Sequence, residues 1–142
     1  MKRAELCIAL ILGLVGQVAA AQAADLRVAP VMVRVPHGAT TDTIRVWNDD
    51  RKPLNIQVRV FRWSVRNGQD ILEPTRDVVA SPPMASLPAG AENLIRVVRV
   101  SPTPVTDREQ YRLIIDQLPN RAPGNSGTVK VLVRHAIPVY FE

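Results

Sequence analysis

The sequence predicts a β-sandwich, and three observations carry that reading. Short runs of alternating or β-branched apolar residues recur along the chain from residue 26 onward. Each run is broken by Pro, Gly, Asn or Asp, residues that turns use for fixed φ, positive φ and local side-chain hydrogen bonds. Beyond residue 24 no window sustains a helical period. About seven such runs at turn-punctuated intervals imply an all-β, immunoglobulin-like, seven-stranded β-sandwich.

The expected strands are Leu26 to Pro36, kinked at Pro30, then Thr41 to Trp47, Leu54 to Val65 and Asp77 to Ala80. Asn93 to Val100, Gln110 to Leu118 and Thr128 to Phe141 complete the set. The turns between them are NDDRKP at 48–53, NG at 67–68, SPP at 81–83, LPAG at 87–90, SPTP at 101–104 and NRAPGNSG at 120–127. In LNIQVRVFRW, Leu54, Ile56, Val58 and Val60 share one face, and Asn55, Gln57 and Arg59 the other. The apolar phase changes at Phe61 and Trp63, which predicts a bulge or a strand that changes sheet. YRLIIDQL is apolar on both faces, as a central strand is; Asp116 within it reads as a hydrogen-bonded structural carboxylate.

The chain start reads differently. Lys2 and Arg3 precede the apolar run Leu6 to Val15, which is too short to span a bilayer, and small residues follow as AAAQAAD. Residues 1–23 are expected to be a secretory signal peptide cleaved after Ala23, with residues 24–142 as the folded domain. Cys7 lies in the apolar run, so the mature chain has no cysteine and its fold must hold by packing. Without Lys2, Arg3 and Glu5, sixteen basic and twelve acidic residues remain, a net charge near +4. The basic residues, nearly all arginine, are scattered singly along strands, unlike the stripe that nucleic acid requires.

No catalytic constellation is visible, and the sequence does not read as an enzyme. His37 and His135 are the only histidines, without the spacing of a metal site, and no phosphate loop, nucleophile elbow or zinc-protease motif occurs. Asp107, Arg108 and Glu109 alternate across a strand, which favours surface ion pairing. Trp47 and Trp63 lie in strands or at their ends, where packing explains them better than a ligand platform does.

Two stretches bring a family into view: VASPPMASLPAGAENLIRV, from Val79 to Val97, and DREQYRLIIDQLP, from Asp107 to Pro119. In order and spacing they resemble the N-terminal domain of the periplasmic chaperones of chaperone–usher pili, the PapD-like family. The resemblance runs from Asp25 to Glu142. It implies a periplasmic chaperone without cofactor or metal whose partners are pilus or fimbrial subunits and an outer-membrane usher. In that family the domain's last strand is lent to a subunit that lacks one, and alternate apolar side chains fill the subunit's groove.

Mapped onto GTVKVLVRHAIPVYFE, the resemblance assigns Val129, Val131 and Val133 to groove filling; the competing reading places them in the domain's own core. It also implies an Arg in the first strand and a Lys in the last that hold the subunit's terminal carboxylate. Here the motif places Met32 at the first anchor, with Arg34 on the same face. Pro138 stands where the lysine belongs, with Arg134 and His135 nearby. Arg34, Arg134 and His135 are therefore the anchor candidates. Arg96 and Glu109 match the family's internal ion-pair positions, whose third partner belongs to a second domain. The chain is expected either to be a fragment of a two-domain protein or a single-domain relative. Two readings of other classes compete: a structural component of a surface fibre, and a secreted immunoglobulin-like binding module.

Overall fold

The computed structural model describes residues 25–120 and 131–142. The expected export segment, its cleavage site after Ala23, Val129 and Lys130 lie outside the described residues. Ten strand segments occur among the described residues: β1 (Leu26–Ala29), β2 (Val33–Val35), β3 (Thr41–Asn48), β4 (Leu54–Arg66), β5 (Gln69–Pro74), β6 (Val78–Ser81), β7 (Met84–Leu87), β8 (Glu92–Arg99), β9 (Glu109–Leu118) and β10 (Arg134–Phe141). They form a four-stranded sheet, β1-β3-β8-β6, and a six-stranded sheet, β2-β10-β9-β4-β5 with β7 also on β4. This is the immunoglobulin-like sandwich that the alternation implied.

Two strands are each divided between the sheets. The first begins as β1 on β3, turns at Pro30, and continues as β2 parallel to β10. Another begins as β6 on β8, crosses at Pro82-Pro83, and ends as β7 on β4. Proline lacks the N–H that a sheet interior needs, so both crossings fall where neither ladder can continue. β5 is a further strand among the described residues, one that the alternation does not indicate. It returns from β4 through Asn67-Gly68, both at positive φ (51° and 75°), the geometry of a two-residue hairpin turn.

The expected bulge at Phe61 and Trp63 is not there. β4 keeps one register against β9 from Asn55 to Arg62 and one against β5 from Phe61 to Arg66. Phe61 and Trp63 therefore lie in phase with Arg59, on the outer face of the six-stranded sheet. Arginines cover them: the Arg112 guanidinium sits 3.8 Å from the Trp63 ring centre and that of Arg59 5.6 Å from Phe61. The Trp63 indole N–H donates to Asp70.

Between the sheets, Ile44, Val46, Ile56, Ile95, Val97, Leu113, Ile115, Val139 and Phe141 form the core. Tyr111 and Phe141 meet edge to face at 5.8 Å. β9, flanked by β10 and β4, buries both Leu113 and the outward Ile114, as its two apolar faces required. Asn48 is fully buried and its amide donates to the carbonyls of Lys52, Leu87 and Pro88, tying two loops to β3.

Candidate functional site: the free edge and overhang of the last strand

β10 presents two different ends. At its C-terminal end it is enclosed by β9 on one side and by β2, paired through Val139, Tyr140 and Phe141, on the other. From Arg134 to Pro138 no described strand lies on the side away from β9. The amide of Gln117 donates to the Val133 carbonyl, so odd-numbered residues of this segment point their backbone groups toward β9. The even-numbered ones, Arg134, Ala136 and Pro138, point theirs outward. Pro138 has no N–H to offer there, and the edge is where a strand tolerates it.

The side chains follow the same alternation. Ile137, Val139 and Phe141 face the core and are buried. Val133 and Val131 continue that phase toward the N-terminus, but Val133 is half-buried and Val131 is 76% exposed. The strand's inward face thus extends beyond the core it belongs to. Of the three valines expected to fill a groove, Val131 and Val133 are described and Val129 lies outside the described residues. Among the described residues the regular strand starts at Arg134; Thr128 to Lys130 of the expected span lie outside them.

The departure point is pinned from β9. Gln117, buried, bonds Val133 twice: its N–H donates to the Val133 carbonyl at 2.9 Å, and its side-chain Oε1 accepts from the Val133 N–H at 3.3 Å. One residue on, Asp116 accepts from Arg134 of β10 and from Arg59 of β4, the latter at 2.7 Å. Burial raises the Asp116 pKa, but the bonds from Arg134 and Arg59 outweigh it and hold the carboxyl below its ordinary value. A groove of about 380 Å³ lined by Gln57, Arg59, Asp116, Leu132 and Val133 lies beside this root.

The anchor candidates are not brought together. Arg34 lies on the outer face of β2 beside Tyr140, with its guanidinium 5.5 Å from that ring and 3.4 Å from Glu142. Arg134 and His135 sit at the other end of β10, about 20 Å away at the rise of a strand. Arg134 is committed to Asp116, and the His135 Nε2–H donates to the Leu26 carbonyl at 2.9 Å. Of the three, Arg34 is the most loosely held.

The expected pair of Arg96 with Glu109 is corrected by the structure. Arg96 is exposed on the outer face of β8, out of phase with Ile95 and Val97. Glu109 is bonded by Arg99, through Nε and Nη2, each at 2.9 Å. Tyr111 donates to the same carboxylate and accepts from Arg62, which also pairs with Asp77 at 2.7 Å. This network links β8 and the start of β6 to β9 and β4, so it ties the two sheets at one end of the sandwich. Among the described residues no three His, Cys, Asp or Glu side chains converge as a metal site.

Residues 25–142 match the profile of the family described as pili and flagellar-assembly chaperone, PapD N-terminal domain. The chain belongs to that family. No curated protein matches it significantly by sequence. Among solved structures it is similar to a chain of the CsuC–CsuE chaperone–tip adhesion subunit pre-assembly complex from archaic chaperone-usher Csu pili of Acinetobacter baumannii. That match has 22% identity, covers 83% of this chain and 56% of that one, and has a TM-score of 0.71. It is also similar to the Salmonella enterica SafA pilin–SafB chaperone complex, at 18% identity over 86% of this chain and 56% of that one, with a TM-score of 0.66. For the E. coli chaperone DraB the values are 20%, 82%, 53% and 0.62. The chain spans little more than half the length of these solved chains. The PapD family is one of chaperones, and the sheet-switching first strand and the parallel β2–β10 pair are the features of this member that frame the site.

Proposed function

We propose that this PapD-family chain is a periplasmic chaperone domain that captures pilus or fimbrial subunits by lending them the segment before β10. Residues 1–23 serve as its cleaved export signal, and an outer-membrane usher receives the captured subunit. The observation that carries the reading is Val131: it is 76% exposed, yet in the sequence it continues the alternate positions of the buried Ile137, Val139 and Phe141, two residues before Val133, which Gln117 still holds. An apolar face that outruns its own core, beside a backbone edge that no described strand pairs, is what could complete an incomplete sheet. Complexes among the similar structures, such as a chaperone with a tip adhesion subunit and a chaperone with a pilin, support the same class of partner.

The energetics call for a second contact. Burying three valines contributes about 1.5 kcal/mol each at the lower end. Edge hydrogen bonds add roughly 0.5–1.5 kcal/mol apiece. Association costs on the order of 4–15 kcal/mol. Arg34 suits that second contact, because its bond to Glu142 is long and exposed and a subunit carboxylate would compete well for it. Co-expression of the chain with its subunit in the periplasm is expected to yield a stoichiometric complex, and failure to form one rejects the reading. Arg34→Ala is expected to weaken capture about tenfold, the loss of one charge-assisted contact. Undiminished capture would remove Arg34 from the anchor.

A further inference from the structure

We infer that Asp116 is a positioning residue that sets the register of the lent strand, by fixing where β10 leaves the sheet. The inference rests on the proposed strand donation and adds the device that makes it reproducible. Three observations converge on one place. Arg134 is the first residue of β10, and Asp116 holds it while also holding Arg59, so one carboxylate spans β4, β9 and β10 on the outer face. The Asp116 side chain is only 13% exposed, whereas those of Arg59 and Arg134 are 43% and 64% exposed, so the acid is the fixed point and the arginines close over it. Immediately beyond, the Gln117 side chain takes the Val133 N–H that the ladder would otherwise give to a main-chain carbonyl. Pairing with β9 therefore stops at a defined residue, and Val131 falls outside.

The need for such a pin follows from the sequence. Val129, Val131 and Val133 repeat at intervals of two, and the same phase continues through Ile137 and Val139. A slip of β10 by two residues keeps every apolar side chain on the inner face, so hydrophobic patterning alone does not forbid it. A slip toward β9 would draw Val131 onto the domain's own sheet and shorten the overhang. The Arg134–Asp116 pair distinguishes the two registers. In the slipped one Asp116 would face either Leu132 or Ala136, since Arg134 moves two positions.

Asp116→Asn tests this without disturbing Arg134, itself an anchor candidate, and the amide keeps the shape of the carboxylate. Two engineered cysteine pairs read the register, since no other cysteine occurs beyond Cys7. Ala136→Cys with Ile114→Cys are direct partners in the observed register, and Ala136→Cys with Arg112→Cys would be partners after a slip of two. With Asp116 intact the first pair is expected to oxidise and the second not. In Asp116→Asn the second pair gains at the expense of the first, and subunit capture falls about tenfold while the melting temperature of the free domain stays within a few degrees. Unchanged cross-linking, or capture that is equal or stronger, overturns the inference. If the chain with Asp116 captures no subunit at all, strand donation fails instead, and the cross-linking pattern still judges the register device alone.

Discussion

Arg99→Ala is expected to lower the stability of the domain by about 3 kcal/mol, the cost of leaving a buried carboxylate without its partner. The Arg99 side chain is 6% exposed and that of Glu109 19%, so solvent does little to replace the lost guanidinium. The pair also joins β8 of one sheet to β9 of the other, and no disulfide ties the described strands together. The pH dependence gives the check its sign. The Arg99 bonds hold the Glu109 carboxyl below its ordinary value, against the opposing effect of burial and with help from the Tyr111 hydroxyl. A carboxyl depressed in the folded state contributes stability that is present above the unfolded glutamate range and is lost as pH falls through the folded pKa. In Arg99→Ala burial dominates, the Glu109 pKa rises, and protonation relieves the folded state instead. Urea midpoints at pH 7 and pH 4 are therefore expected to fall on acidification in the parent and to converge with those of the variant. Two parallel curves would mean that the pair contributes nothing.

Arg99 could have been found in the sequence, and the reason it was missed is physical. In NLIRVVRV both strand faces carry two apolar residues and one arginine: Leu94, Arg96 and Val98 on one, Ile95, Val97 and Arg99 on the other. Alternation alone does not say which face is inside. Only the packing does, with Ile95 and Val97 fully buried and Leu94 46% exposed. The same ambiguity explains Phe61 and Trp63. In a sequence, aromatic residues suggest the buried phase, but Arg112 and Arg59 cover these two from outside, and a guanidinium shields a ring from water as a core side chain does. β5 was missed for a different reason. Its sequence, QDILEP, has little apolar alternation because this hairpin arm extends past the core, and the Asn67-Gly68 turn was the stronger signal for it. What the sequence did make legible was the central strand β9, from its two apolar faces, and the kink of the first strand, from Pro30, and both elements border the last strand.

The last strand leads to the largest functional effect. Val131→Asp is expected to abolish subunit capture, by at least about a hundredfold, while leaving the isolated domain as stable as the parent. Val131 is 76% exposed, and a substitution at such a position changes folding stability by within about 0.5 kcal/mol. In a subunit groove the same residue would be enclosed. The variant would then lose about 1.5 kcal/mol of apolar burial and also place an unpaired carboxylate in a site without water. Leu132→Asp is the informative companion. Leu132 is 43% exposed and holds the alternate position in the sequence, so in a donated strand it faces away from the groove and its substitution should weaken capture only a few-fold. Purified domains with matching thermal melts, titrated with subunit, separate the two. A large loss at residue 131 with a small one at 132 is the signature of a strand whose inner face is shared between two molecules. Equal losses would mean that the segment is contacted without being inserted, and loss at neither would place the subunit elsewhere on the domain.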